Sequence, residues 1–172
     1  MVKFTSKQKK KKALKLYDFK CLKGGENMTA NKENTEKKCC FYVSDFHLEM
    51  TLVPYINKKI AENKNITIIT ENKLEDSVKI LLSKMNIKNK EKILSIDWNN
   101  HDIRQIVNKK DLIIITNGSK KFIEQKNKEI DKILEGEEKE RINCYSFEEI
   151  KDEILEIKNL HSKVLNNLQK DY

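Results

Sequence analysis

"CCFYVSDFHLEMTLVPYINKKIAENKNITIIT", residues 39–70, is the stretch whose reading decides the fold. It opens on "CCFYVS" (39–44), a short apolar and aromatic run of the kind that forms a buried strand. The chain turns polar at Ser44 and Asp45, and then Leu48, Leu52, Tyr55, Ile56 and Ile60 recur at spacings of three or four, which places them on one face of a helix over 47–63. "ITIIT" (66–70) follows as a second apolar strand. Pro54 falls inside the helical stretch, where it removes a backbone donor; the alternative is a helix that starts later, with 47–52 as a cap turn.

Outward from this unit the alternation continues. Further strands are expected at "ILSID" (93–97), "LIIIT" (112–116) and "INCYS" (142–146), with helical stretches at 74–86, 101–109, 119–135 and 147–169. In the last of these Ile150, Ile154, Ile157, Leu160, Val164 and Leu168 share one face. Nearly continuous apolar strands between amphipathic helices predict an α/β three-layer sandwich, with a mostly parallel five-stranded sheet of Rossmann-like type.

The 172 residues are enough for one ordinary domain. Charge divides them: residues 1–38 hold 12 Lys and 4 acids, whereas the other 134 hold 23 basic and 23 acidic residues, so the whole net charge of +8 lies in the first 38. That segment is expected to be a basic, disordered tail with a short helix near Lys9 to Phe19, followed by an α/β domain over 39–172. Its six lysines from Lys7 to Lys15 can neutralise nucleic-acid phosphates, or be simply solvated, with Met28 as a functional start. No apolar run approaches a membrane span and no secretory pattern follows the lysines, so a cytoplasmic protein is expected. The four cysteines, Cys21, Cys39, Cys40 and Cys144, form neither a disulfide framework nor a paired zinc pattern, and buried thiols in strands act as small hydrophobes.

In open parallel sheets ligands bind beyond the carboxyl ends of the strands. The residues there are Ser44, Asp45 and His47; Thr70 and Glu71; Asp97, Asn99, Asn100, His101 and Asp102; Thr116, Asn117 and Ser119; and Ser146. The Ser, Thr, Asp and Asn among them also cap helices, accepting the free amides of a first turn. An enzymatic reading sets "SDFHL", "ENKLED" and "NNHD" beside the Asp-x-His, Gly-Asp-x-x-Asp and Gly-Asn-His-Asp motifs of binuclear phosphoesterases, in which two metals activate water for attack on phosphorus. Glu71 then stands for the bridging Asp, and with His47, His101 and His161 as the only histidines the terminal Gly-His-x-His has no counterpart. None of the four glycines builds a GxGxxG or Walker loop, and no nucleophile elbow is spelled.

Taken together, the strand, the proline and the last helical stretch resemble the MEDS family, sensory domains of methanogens and methylotrophs. Cys40 and Tyr42 in the strand, Ser44-Asp45 at the turn and Pro54-Tyr55 in the helix follow its opening, with Lys37 near the position of its first His. Cys144, Tyr145, His161 and Val164 match its closing segment. The resemblance implies a RecA-like fold without a phosphate loop that senses rather than catalyses. The expected function is therefore a non-catalytic sensory or signalling domain, needing no cofactor and no metal, that binds a small molecule or a signalling protein, with self-association as a further route. Its candidate binding residues are Tyr42, Ser44, Asp45, Glu71, Asp97, Asn117 and Tyr145; Cys40, Pro54, Cys144 and His161 are expected to be structural, the two thiols and the His forming a redox or metal sensor only in a minor alternative.

Overall fold

The computed structural model describes residues 36–106, 109–137 and 139–165. The expectations for the basic tail, including its short helix and its lysines, lie outside the described residues. So does the stretch 166–169 of the expected last helix.

Strand β1, Lys37–Tyr42, starts two residues earlier than the sequence pattern suggested. Lys38 belongs to it because its stem is buried and its Nζ meets Glu140 Oε1 at 2.6 Å and Glu36 Oε2 at 3.0 Å. The Tyr55 hydroxyl donates to the same Glu140 oxygen at 2.6 Å, so the buried charge has the partners it needs. Helix α1 runs Asp45–Ala61. Ser44 is its N-cap, accepting from the His47 amide at 3.2 Å, and Asp45 places negative charge in the first turn. Pro54 sits inside α1 on its exposed side, and the helix continues past it. Strand β2 (Asn65–Thr70), α2 (Glu75–Lys84) and the short α3 (Lys90–Leu94) follow.

Here the sequence reading needs correction. "ILSID" forms no strand: Ile93 is buried at the end of α3, and the chain then turns so that Trp98, also buried, donates its indole N–H to the Ile93 carbonyl at 2.9 Å. Leu94, Ile96 and Trp98 alternate with polar residues, but their burial does not follow: Leu94 is 41% exposed while its neighbour Ile93 is fully buried, so no pleated face forms. The segment instead closes the edge of β2: the Thr70 amide donates to the Asn100 carbonyl at 2.9 Å, and Asn100 Nδ2 donates to the Ile68 carbonyl at 3.2 Å. Of the expected helix at 101–109, the described residues form a 3-10 turn, Ile103–Ile106, and 107–108 lie outside them.

Strand β3 (Leu112–Gly118), helix α4 (Lys120–Leu134) and strand β4 (Glu140–Ser146) agree with the pattern to within a few residues. The expected last helix breaks into α5 (Phe147–Ile150) and α6 (Ile154–Asn159), and the chain then forms a fifth strand, β5 (Lys163–Leu165), beside β1. The Ser162 amide donates to the Lys37 carbonyl at 2.7 Å as β5 begins. Pairing satisfies backbone groups that the free edge of β1 would otherwise leave open.

Among the described residues the sheet has five strands, all parallel, in the order β2-β3-β4-β1-β5. Helices α1, α2 and α3 cover one face, burying Cys40, Ile68, Ile113, Ile115, Ile142 and Cys144 against Leu48, Leu52, Ile56 and Trp98. The other face carries α4, α5, α6 and the 3-10 turn over two smaller apolar clusters. Among the described residues no helix is long and apolar enough to cross a membrane.

Candidate binding site at the carboxyl edge of the sheet

Strands β1 and β4 are neighbours, yet α1 leaves β1 over one face while α5 and α6 leave β4 over the other. Such a divergence opens a crevice between two carboxyl ends, which is where open α/β sheets hold ligands. Tyr42 pairs in register with Ser146, so Val43 and Phe147 follow on adjacent strands. Val43 is 66% exposed, Phe46 63% and Phe147 39%. Three large apolar side chains thus face solvent at this divergence, bordered by the exposed carboxylates of Asp45, Glu71, Glu148 and Glu149.

Most of the expected residues meet behind this rim. Asn72 joins them: its Nδ2 donates to Asp45 Oδ1 at 3.1 Å, and its side chain also bonds the Tyr42 hydroxyl. Burial, helped by Cys144 and Asp45, raises the Tyr42 hydroxyl well above its ordinary value, so it is neutral. Glu71 Oε2 accepts the Ser119 amide at 2.7 Å, and the Glu71 amide reaches the Asn117 carbonyl at 2.9 Å. Asn117 is fully enclosed; its Nδ2 donates to Thr70 Oγ1 at 3.1 Å, while its Oδ1 has no partner among the described residues. At Gly118, with φ +154, a Cβ would lie 2.7 Å from Phe122 Cδ1 and 2.8 Å from Glu71 Oε2, so only glycine lets the backbone pass.

Two expected members lie elsewhere. Asp97 depended on a strand that does not form; it accepts the Asn99 amide at 3.0 Å and lines a cleft of about 470 Å³ along the edge of β2, with Ile66, Lys92 and Asn100. Tyr145 points away from α1, because side chains alternate along β4 and Cys144 takes the α1 side. Its ring packs against Phe41 and, edge to face, against His161 at centroid distances of 6.3 and 6.1 Å.

The thiols and the imidazole occupy opposite faces. Cys40 and Cys144 are register partners buried under α1, whereas His161 bonds Asn143 at 3.0 Å and the Ile157 carbonyl at 2.6 Å on the α6 side. Burial pushes the Cys39 thiol up to about 11 and Cys144 well above its ordinary value, so both are protonated at neutral pH. For the phosphoesterase reading, His47 Nδ1 accepts the Val43 amide at 3.3 Å, Glu71 is taken by Ser119, and Asp102 is paired with Arg104 at 2.7 Å. Among the described residues no three His, Cys, Asp or Glu side chains gather as a metal set.

Sequence reasoning passed over Phe46, Phe147, Asn72 and Asn143. The signal for the aromatics was present: each lies one or two residues behind a helix cap, Ser44 or Ser146, in a first turn that faces solvent. Comparison with family models, with curated proteins and with solved structures finds no match to this chain.

Proposed function

We propose that the chain is a sensory or signalling module of the MEDS kind, which binds a protein partner over the carboxyl edge where β1 and β4 diverge. The observation that carries this reading is the exposed trio Val43, Phe46 and Phe147 inside an acidic border. Aromatic side chains held in solvent at a topological switch point are suited to anchor a partner, and the polar groups behind them are engaged in fixing the loops. Asp45, Glu71, Glu148 and Glu149 put four exposed carboxylates beside the trio, so the matching segment is apolar on one side and basic around it.

A fluorescent amphipathic peptide of Leu and Lys, with the same peptide carrying Glu in place of Lys, tests the reading by anisotropy. The Lys peptide is expected to bind saturably and less well as salt rises, and to lose affinity on the double variant Phe46→Ser/Phe147→Ser. Equal binding of both peptides, or an unchanged double variant, overturns the proposal.

A further inference from the structure

Val43, Phe46 and Phe147 hold three large apolar side chains in solvent where β1 and β4 diverge. A single exposed apolar residue is ordinary, but three gathered at one crevice mark a surface that something covers. The carboxylates beside them are only partly engaged. Asp45 Oδ1 accepts from Asn72 at 3.1 Å, Glu71 Oε2 from the Ser119 amide at 2.7 Å and Glu149 Oε1 from the Lys120 amide at 3.0 Å. Amide donors are neutral, and each of these carboxylates keeps a second oxygen outside these bonds. Lys120 Nζ is held by Glu153, which leaves Lys73 and Lys121 as the cations of the adjoining turns against Asp45, Glu71, Glu148 and Glu149.

The lysines between Lys7 and Lys15 belong to "KQKKKKALKLYDF", residues 7–19, which holds six lysines and one acid, Asp18. Ala13, Leu14, Leu16, Tyr17 and Phe19 fall in the same stretch, and their spacing includes the three- and four-residue steps that place side chains on one helical face. Residues 7–19 lie outside the described residues, yet their composition has both properties that the patch asks of a partner: an apolar side, and positive charge around it.

We propose that residues 7–19 of a second copy of the chain occupy the carboxyl-edge patch, with their apolar side against Val43, Phe46 and Phe147 and their lysines against the carboxylates. The inference rests on the carboxyl-edge reading and names its partner. Residues 20–36 join the segment to β1 at Lys37, the amino end of the strand, whereas the patch lies beyond its carboxyl end, about 20 Å further on at the rise of a strand. A second copy meets the patch without that return. Two copies that exchange segments make the contact twice around a two-fold axis, the second time at the effective concentration set by the first.

Sedimentation velocity of the full chain, over a concentration series in low and high salt, is the first test. A reversible dimer is expected, with an apparent dissociation constant at least tenfold higher in high salt. Lys9→Glu/Lys11→Glu/Lys15→Glu and Phe46→Ser/Phe147→Ser are each expected to be monomeric with unchanged circular dichroism, the two phenylalanines being exposed. Mixed together, the two variants are expected to form a heterodimer, because each supplies the half that the other lacks; dimerisation through any other surface gives no such restoration. A chain that is monomeric throughout, a dimer that persists in either variant, or a mixture that stays monomeric overturns the proposal. A monomeric chain that still binds the Lys peptide defeats this inference alone and leaves the carboxyl-edge reading standing, whereas loss of both defeats the two together.

Discussion

The two faces of the sheet are built on different terms. Under α1, α2 and α3 the strands present Cys40, Ile68, Ile113, Ile115, Ile142 and Cys144 to Leu48, Leu52, Val53 and Ile56 in a continuous apolar layer. Under α4, α5 and α6 the apolar contacts fall into two clusters, and Arg141, Asn143 and Asn127 occupy the ground between them. The first face thus keeps one unbroken apolar cluster beside its buried polar pairs, Glu49 with Ser77 and Asn117 with Thr70, while on the second the apolar contact divides around positioned polar groups. The strongest test of this contrast is Leu52→Ala, which opens a cavity in the dry layer and is expected to cost about 3 kcal/mol by chemical denaturation. A loss no larger than that of a substitution on the polar face would erase the distinction.

Gly118 lies where β3 ends and the chain turns into α4, so it probes the carboxyl edge rather than either layer. Gly118→Ala drives a methyl against Phe122 and the Glu71 side chain, and is expected to cost about 2 kcal/mol in the same measurement. Because Glu71 must move, its bond to the Ser119 amide is expected to lengthen, visible as a shift of that amide in NMR. A stable variant with an unmoved Ser119 amide would show that the edge has slack.

On the polar face, Asn143→Leu removes the middle of the hydrogen-bond chain and leaves Asn127 and His161 with unmet groups. It is expected to cost roughly 2 kcal/mol. If the variant were instead more stable, the polar ground would be poorly packed core and not a completed network.

How much of this was legible in the sequence follows from which interactions are local. The β1-α1-β2 unit announced itself because apolar spacing changes from strand to helix and back within one stretch, and Ser44 is a cap residue in the right place. β5 was hidden: three residues, Lys163–Leu165, carry too little pattern, and their reason to be extended is the distant edge of β1. "ILSID" misled because short apolar runs read alike in strands and in turns that tuck one isoleucine and one tryptophan inward. That error removed Asp97 from the expected site. Tyr145 lies on the opposite face from Tyr42 and from its neighbour Cys144, a separation that a strict two-residue period makes visible. Asn127, midway along α4, and His161, just past the end of α6, are far apart in sequence and meet only through Asn143 on β4, so no linear reading brings them together.

At the carboxyl edge the distinction between a cap and a site is measurable with a pair of variants. Ser44→Ala removes the oxygen that accepts the His47 amide and is expected to cost about 1 kcal/mol in thermal or chemical unfolding. Asp45→Ala loses only a favourable charge in the first turn and the contact to Asn72, expected at about 0.5 kcal/mol. Partner binding is expected to reverse that order, with Asp45→Ala weakening the Lys peptide more than Ser44→Ala, since only Asp45 contributes charge to the rim. The same order in both measurements would make Asp45 a helix residue and nothing more.

The smallest effect is the pH response of the polar face. Burial, with Lys37 adding to it, holds His161 below the ordinary imidazole value, against the pull of the Ile157 carbonyl. The unfolded chain therefore takes up this proton first as pH falls past about 6.5, and stability declines until the folded-state value is passed, below which the His161 contribution levels off. Protonation also turns Nε2 from an acceptor into a donor, so Asn143 must reverse its amide, and Asn127 with it, to keep the chain bonded. His161→Gln has no proton to bind, so unfolding free energies of the two proteins are expected to diverge in favour of the variant's pH independence as pH is lowered from 7 toward 5. On the α1 face Glu49, raised by burial, contributes the opposite slope in both proteins and cancels from their difference. Parallel curves for wild type and His161→Gln would mean that the imidazole is not held neutral, and the direction of the whole amide chain would have to be reassigned.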